Sequence, residues 1–381
     1  ISDLDGPLNY VAGLYYLEAD SYIKSGPAIL FRSDHELEAT AVFGEMSYDL
    51  SDIWSVTLGA RYTEEDKTLV ARSWAAGNFA AWAAQSEDQT LMSSYGTPVF
   101  ADDNVSYRLV LQREFASGMI YASYATGFRS GGFFNRGTTF NEVAPFESEE
   151  VASVELGIRS NPTETSQINL TYFNAEYTDK QITVITNASD PVCGKGGAAE
   201  DAAGVTCSFV RNAGEVSMSG IEFEGILMPT DELTIRASFG TFDGEYDKYD
   251  YNGTDIADKA RLLYAPELTA YFGAEHMSQF AGGTLSINGG LSCKDKVETQ
   301  ANWATYDPAT GPPVTIESFE SLDLSATYLV DIGNGTLKVR VYGTDILESG
   351  NRPGRRFDAG AFAWAELVPR RQFGVTLGYE F

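Results

Sequence analysis

Only 3 cysteines and 2 histidines stand among the 381 residues of this chain. His35 and His276 are far apart in sequence, and neither sits in an HExxH pattern or a metal-pair spacing. Gly127-Phe-Arg-Ser-Gly-Gly132 lacks the lysine and the following helix of a phosphate loop, and Ser130 is not in a nucleophile elbow. Asp250-Tyr-Asn-Gly-Thr-Asp255 has the flavour of a calcium loop, but Lys248 and Lys259 occupy places where oxygen ligands are required. With no such constellation, the sequence predicts neither an enzyme nor a cofactor. Cations are also scarce: 26 Lys and Arg face 54 Asp and Glu, a net charge of −28, where a nucleic-acid partner would call for a basic footprint. No stretch approaches 18 uninterrupted apolar residues, which rules out a transmembrane helix. A membrane stays open, because a barrel strand shows only alternate residues to lipid.

What the chain does have is glycine (37), tyrosine (21) and phenylalanine (22), arranged in segments of alternating apolar and polar residues from Leu8 to Phe381. Fourteen are expected: Leu8–Leu17, Glu36–Asp49, Ile53–Asp66, Val105–Phe115, Met119–Thr126, Val151–Ser160, Gln167–Ile185, Phe209–Leu227, Leu233–Glu245, Pro266–Met277, Thr284–Cys293, Glu320–Val330, Thr336–Ile346 and Arg371–Phe381. The gaps between them alternate. Tight ones fall at Asp49–Asp52, Ala116–Gly118, Asn161–Glu164, Pro229–Glu232, Gln279–Gly282 and Asp331–Gly335, and long polar ones include Thr68–Asn104 and Glu348–Arg371. A soluble sandwich has no reason to keep its long connections on one side. An outer-membrane barrel does, with short periplasmic turns and longer extracellular loops. The fold class expected is therefore all-β, an antiparallel transmembrane β-barrel of the outer-membrane type. In the last segment Phe373, Val375, Leu377, Tyr379 and Phe381 share one face and Gln372, Gly374, Thr376, Gly378 and Glu380 the other. An Arg or Lys at mid-height on the lipid face would cost about 2–4 kcal/mol, so mid-strand Arg236 and Asp323 mark the lumen face. Tyrosines near strand ends, such as Tyr121 and Tyr124, suit an interfacial girdle, although aromatics are also good strand formers.

Several tracts resemble one family. Tyr121-Ala-Ser-Tyr-Ala-Thr-Gly-Phe-Arg-Ser-Gly-Gly-Phe-Phe-Asn135 is similar to the strand-and-loop motif of TonB-dependent outer-membrane receptors. It is followed in family order by Pro145-Phe-Glu-Ser-Glu-Glu150, by the tract Val154–Ser160, by Leu170–Gln181, and by Asn212-Ala-Gly leading into Ser219–Gly225. Val341–Leu347 and Pro369–Phe381 resemble its closing strands, and the terminal Phe381 resembles the signal read by the barrel-assembly machinery; Asp345 stands where the family usually has Asn. The resemblance implies about 14 strands of a 22-stranded barrel, with residues 1–381 as its carboxyl-terminal portion and the plug domain, energy-coupling box and N-terminal strands lying upstream. The chain opens at Ile1 without a leader pattern, which fits a processed chain or a piece of a longer one. Such a segment is expected to form a curved, open sheet with no ladder between its first and last strands.

With the long connections extracellular, the long one before the last strand puts the carboxyl terminus on the periplasmic side. Implied with the family are a Gram-negative outer membrane and energy-coupled uptake of a scarce nutrient. The nutrient would be a ferric siderophore or similar metal chelate, with vitamin B12 or a glycan as other family substrates. Partners would be outer-membrane lipid, that small molecule, and an inner-membrane energy-coupling complex reached through the upstream part. The alternatives are a passive 14-stranded outer-membrane channel and a soluble extracellular β module. For ligand contact the loop-borne cations, rings and amides stand out: Arg129, Phe133, Phe134 and Asn135 on one connection, and Tyr249, Tyr251 and Trp303 elsewhere. Packing of one loop on another explains the same aromatics equally well. The acidic balance reads as a solvated surface or, since acid residues from Asp243 to Asp258 concentrate in an expected connection, as an acidic extracellular face that biases which ligands approach. Cys193 and Cys207 share a long connection with a spacing that suits a disulfide in an oxidising compartment, the unbridged form remaining open, and Cys293 reads as a small strand-end residue.

Overall fold

The structure, a computed structural model, describes residues 6–26, 30–74, 76–134, 143–187, 206–251, 254–299, 315–347, 353–358, 363–367 and 371–381. Fourteen strands form one continuous path: β1 Leu8–Ser25, β2 Leu30–Ser51, β3 Trp54–Trp74, β4 Val99–Phe115, β5 Gly118–Arg129, β6 Glu149–Thr163, β7 Ser166–Asn187, β8 Thr206–Thr230, β9 Leu233–Tyr251, β10 Leu268–Phe280, β11 Gly283–Lys294, β12 Phe319–Ile332, β13 Gly335–Thr344 and β14 Gln372–Glu380. Each pairs antiparallel with the next, and no ladder joins β1 to β14 among the described residues. The sheet is an open wall, as expected for the carboxyl-terminal portion of a larger barrel. Short strands Met92–Gly96 and Thr254–Asp255 pair with the last residues of β3 and β9, and Pro353–Asp358 pairs with Ala363–Leu367 in a separate hairpin.

Six connections are two residues long (52–53, 116–117, 164–165, 231–232, 281–282 and 333–334), and they all lie at one end of the wall. The strands overrun the expected limits at the other end. β1 and β2 take up all but residues 26–29 of the stretch expected as the first long connection, since Leu17↔Ala39 pairing continues to Ser25↔Phe31. β9 runs to Tyr251, so Asp243, Glu245, Asp247 and Asp250 are strand residues and not a loop. The 25 residues of β8 extend about 80 Å along the strand, whereas a tilted crossing needs only about 9–11 residues. The surplus stands above the bilayer as a mouth.

Alternation sorts the two faces. Across β12, β13 and β14 the aligned sets Ala326/Val341/Val375, Tyr328/Val339/Leu377 and Val330/Leu337/Tyr379 are apolar. The intervening set Thr327/Arg340/Thr376 is polar. Large apolar side chains on the first face are fully open, Leu14 at 86% and Leu377 at 71%, which in water would be a large exposed patch and in a bilayer is the lipid-facing band. Among the described residues the wall has no central core. Buried apolar residues instead collect at the mouth, in one cluster around Ile182, Phe209, Val216, Tyr246, Tyr249 and Ile256, and a smaller one of Leu69, Ala71 and Val143.

Candidate functional site

The inner wall is polar and hydrogen-bonded. Arg236 reaches Glu275 at 3.6 Å, Glu275 accepts from the Ser286 hydroxyl at 3.2 Å, and Arg108 lies 3.7 Å from Glu45. Tyr121 lies flat over the neighbouring strand and donates to the Glu155 carboxylate, with Thr171 Oγ1 at 3.3 Å. Gly157 makes that pose available, since a Cβ there would sit 2.3 Å from the Tyr121 ring. Around these groups is a hollow of about 800 Å³, whose lining includes Glu114, Glu155, Arg159, Asn169, Glu222 and Glu224. Four carboxylates face one guanidinium there, so the hollow carries a negative field. A second hollow, about 500 Å³, is apolar and opens between Trp54, Leu111, Ile120, Leu156, Leu170 and Ile221. These are outward-facing residues, so that hollow suits lipid tails and not a nutrient.

The mouth gathers the tracts quoted above. β5 ends at Arg129, which faces inward in register with Glu149. The Arg129 guanidinium is exposed and has no ion pair or hydrogen bond among the described residues. Glu149 is 6% exposed. Its carboxylate accepts from Gln181 N at 2.8 Å and from Lys180 Nζ at 3.2 Å. From Arg129 the chain turns inward. Lys67 Nζ, on the inward face of β3, donates to Ser130 Oγ at 2.8 Å and to Gly131 O at 2.7 Å. Phe133 packs on the cluster of Leu69, Ala71 and Val143, and Phe134 is half-buried. Arg129, Phe133 and Phe134 therefore share one inward-folded connection; Asn135 and Trp303 lie outside the described residues.

The structure places Tyr249 and Tyr251 on β9 and not on a loop. Tyr249 is 1% exposed and meets the Tyr246 ring edge-on at 5.0 Å. Its N–H donates to Asp255 Oδ1 at 3.0 Å, and the Ala257 N–H donates to the same oxygen. Those two N–H groups hold the Asp255 carboxyl below the ordinary carboxylate range. Cys193 lies outside the described residues, so its pairing with Cys207 does too; Cys293 is the penultimate residue of β11, half-buried and free. His35 is on the inner face of β2 with Nε2 buried, and His276 is exposed on β10 near the short-turn end. Lys67, Glu149, Gln181 and Asn212 were not singled out from sequence. Except for Lys67 they lie in the resemblance tracts, whose order was the available signal.

Comparison with known proteins gives the same picture. The family model described as "TonB dependent receptor-like, beta-barrel" matches residues 2–344. No curated protein matches the chain. Among solved structures, the ferric yersiniabactin uptake receptor FyuA from Yersinia pestis superposes with a TM-score of 0.76 at 15% identity, over 100% of this chain and 52% of that one. The siderophore receptor PiuA from Acinetobacter baumannii gives 0.64 at 16% identity, over 91% and 43%. The copper transporter OprC gives 0.62 at 14% identity, over 98% and 54%. At these identities the likeness is one of fold, and the chain spans about half the length of the structures it matches.

Proposed function

The chain belongs to the TonB-dependent receptor β-barrel family, and from that premise we propose that it is the carboxyl-terminal part of the barrel wall of an energy-coupled outer-membrane receptor for a scarce nutrient. One observation carries this reading: an open fourteen-strand wall, apolar outside and polar inside, whose strands rise far beyond bilayer height at the long-connection end. In this reading the tall end is the extracellular mouth, the two-residue turns and the carboxyl terminus are periplasmic, and a plug domain and further strands precede Ile1. Strands that close the edges of β1 and β14 would satisfy backbone groups that hydrocarbon cannot.

The cargo is a ferric siderophore or a similar metal chelate. Support comes from the neighbours, whose names specify ferric yersiniabactin, siderophore and copper, and from the exposed Arg129 guanidinium at the head of the connection that carries Phe133 and Phe134. Capture occurs at the mouth, and passage through the lumen is driven by an inner-membrane energy-coupling complex acting on the upstream part. The protein binds and moves its ligand without transforming it. A passive channel of fourteen strands would need a β1–β14 ladder, which the described residues lack.

The test is uptake of radioactive iron presented on a panel of catecholate, hydroxamate and mixed chelators, in cells with and without the full-length gene. Uptake of one chelate that disappears both on deletion and on collapse of the proton gradient is expected. Unchanged uptake of every chelate on deletion, or gene-dependent entry that survives collapse of the gradient, would overturn the energy-coupled receptor.

A further inference from the structure

We propose that Asn212 and Gln181 are positioning residues that pin the two described limbs of the connection between β5 and β6, residues 130–134 and 143–148, as a fixed ledge across the inner face of the mouth. Neither contacts ligand in this account; both act on the backbone that carries Arg129, Phe133 and Phe134.

The carboxamide of Asn212, on β8, meets this connection with both of its ends. Its Oδ1 accepts from the Glu147 N–H at 2.8 Å. Its Nδ2 donates to the carbonyls of Glu147 at 2.8 Å, Ser148 at 3.1 Å and Asp179 at 2.8 Å. The orientation is over-determined, because a flipped amide would set NH₂ against N–H and oxygen against three carbonyls. Asp179 sits at a bulge of β7 with φ of 52°, and that left-handed turn is what brings its carbonyl to Asn212. Gln181, directly opposite Asn212 in the β7–β8 ladder, sends Nε2 to the carbonyls of Arg129, Ser130 and Glu147, each at 3.1 Å. Two side-chain amides thus tie both limbs of the connection to one point on the wall.

The other anchor lies across β4 and β5. Lys67 holds Ser130 and Gly131, and Phe133 with Val143 covers Leu69 and Ala71. The limbs are also tied to each other by the Gly132–Phe146 backbone pair, 2.9 Å in each direction. Gly131 is required where they meet, since a Cβ there would lie 2.2 Å from Phe146 O and 2.4 Å from the Phe100 ring. Limbs anchored at two separated points and cross-linked between them cannot swing as a lid. They present their side chains preorganised, which lowers the entropy lost on binding.

This inference rests on the tall end being the recognition mouth, yet its test reads the ledge whether or not uptake is found. In the full-length receptor with its native cysteines replaced by serine, spin labels go on A144C of the ledge and D103C of the outer wall, and pulsed electron spin resonance gives their distance distribution. A single narrow distribution is expected for the parent. N212A and Q181A should each broaden it at least twofold while heat-modifiable migration of the barrel on gels stays as in the parent. If N212A does not assemble, Q181A and K67M read the same anchors from its two ends. Distributions as narrow as the parent's in assembled Q181A and K67M would overturn the proposal. So would a lowered denaturant midpoint without broadening, the mark of a merely structural role.

Discussion

Exchanging the polarity of two adjacent residues on β13 tests the assignment of inside and outside. Arg340 and Val341 are neighbours with opposite outlooks: Val341 is 53% exposed on the apolar face, and Arg340 lies on the polar face with its guanidinium 5.3 Å from the Tyr342 ring. Val341 is six residues above the two-residue turn that begins β13. At about 3.3 Å per residue and a tilt of about 40°, that is roughly 15 Å of height, close to the middle of an apolar band about 25 Å tall. V341R should then carry nearly the full midplane cost, about 2–4 kcal/mol. That is roughly a 30- to 700-fold fall in the folded-to-unfolded ratio. R340V removes an exposed cation–π contact and should cost under about 1 kcal/mol. The assay is denaturant unfolding of the full-length protein in lipid vesicles, followed by tryptophan fluorescence, with heat-modifiable migration as a second probe. Comparable midpoints for the two variants, or a larger loss for R340V, would refute the placement of lipid and lumen.

Three further outcomes follow from local geometry. Asp255 has a depressed folded-state pKa, so its contribution is present above the ordinary carboxylate range and is lost as pH falls through the folded value; the protection of amides 254–260, taken relative to the intrinsic exchange rate at each pH, should fall below about pH 4 and hold steady from pH 5 to 7, and a loss of protection on raising the pH would contradict the sign. Asp345 adopts a φ of 50° at the end of β13, where Asn is equally at ease, so D345N should leave the denaturant midpoint within about 0.5 kcal/mol while D345V costs about 1–3 kcal/mol. G157V must displace the Tyr121 ring from Glu155 and should destabilise by about 1–3 kcal/mol, whereas Y121F removes the hydrogen bond alone and should cost about 1 kcal/mol, both measured by the same unfolding curves.

How much of this was legible beforehand depends on height above the bilayer. Within the band, lipid on one side and polar groups on the other impose a period of two, and the segments read from sequence meet the fourteen strands one for one. Above it both faces are wet and the period fades. β1 and β2 show why: Glu18 pairs with Glu38 and Asp20 with Glu36, like charges directly opposed, which reads as a polar loop. The strands continue because the ladder is unbroken and because Ala39 and Ala41 are buried on the inner face. The tract through Asp250 misleads in the same way, its acids alternating with Tyr246 and Tyr249, which are buried. For the site, the connection bearing Arg129, Phe133 and Phe134 could be read as a polar-aromatic loop. Its anchors could not, since an Asn that satisfies backbone groups 64 and 65 residues away looks like any other Asn until strand order brings them together.

The distribution of burial separates two kinds of stability in one sheet. Through the bilayer the wall is held by its ladder and by lipid on the apolar face, and it has scarcely any buried side chains. At the mouth lipid is absent, and the same strands need packing of their own. They find it in the cluster around Val216 and Tyr249, in the smaller one under Phe133, and in the amides of Gln181 and Asn212. These contacts lie beyond the lipid-facing segment, so their loss should open the mouth locally while the wall stays paired. Connections past these anchors can then change in length and chemistry at little cost to the barrel, because loop length adds only weakly to the cost of closure. In the proposed receptor, ligand recognition and membrane residence would then rest on separate structural footings, with Arg129 and the ledge on one and Val341 and Leu377 on the other.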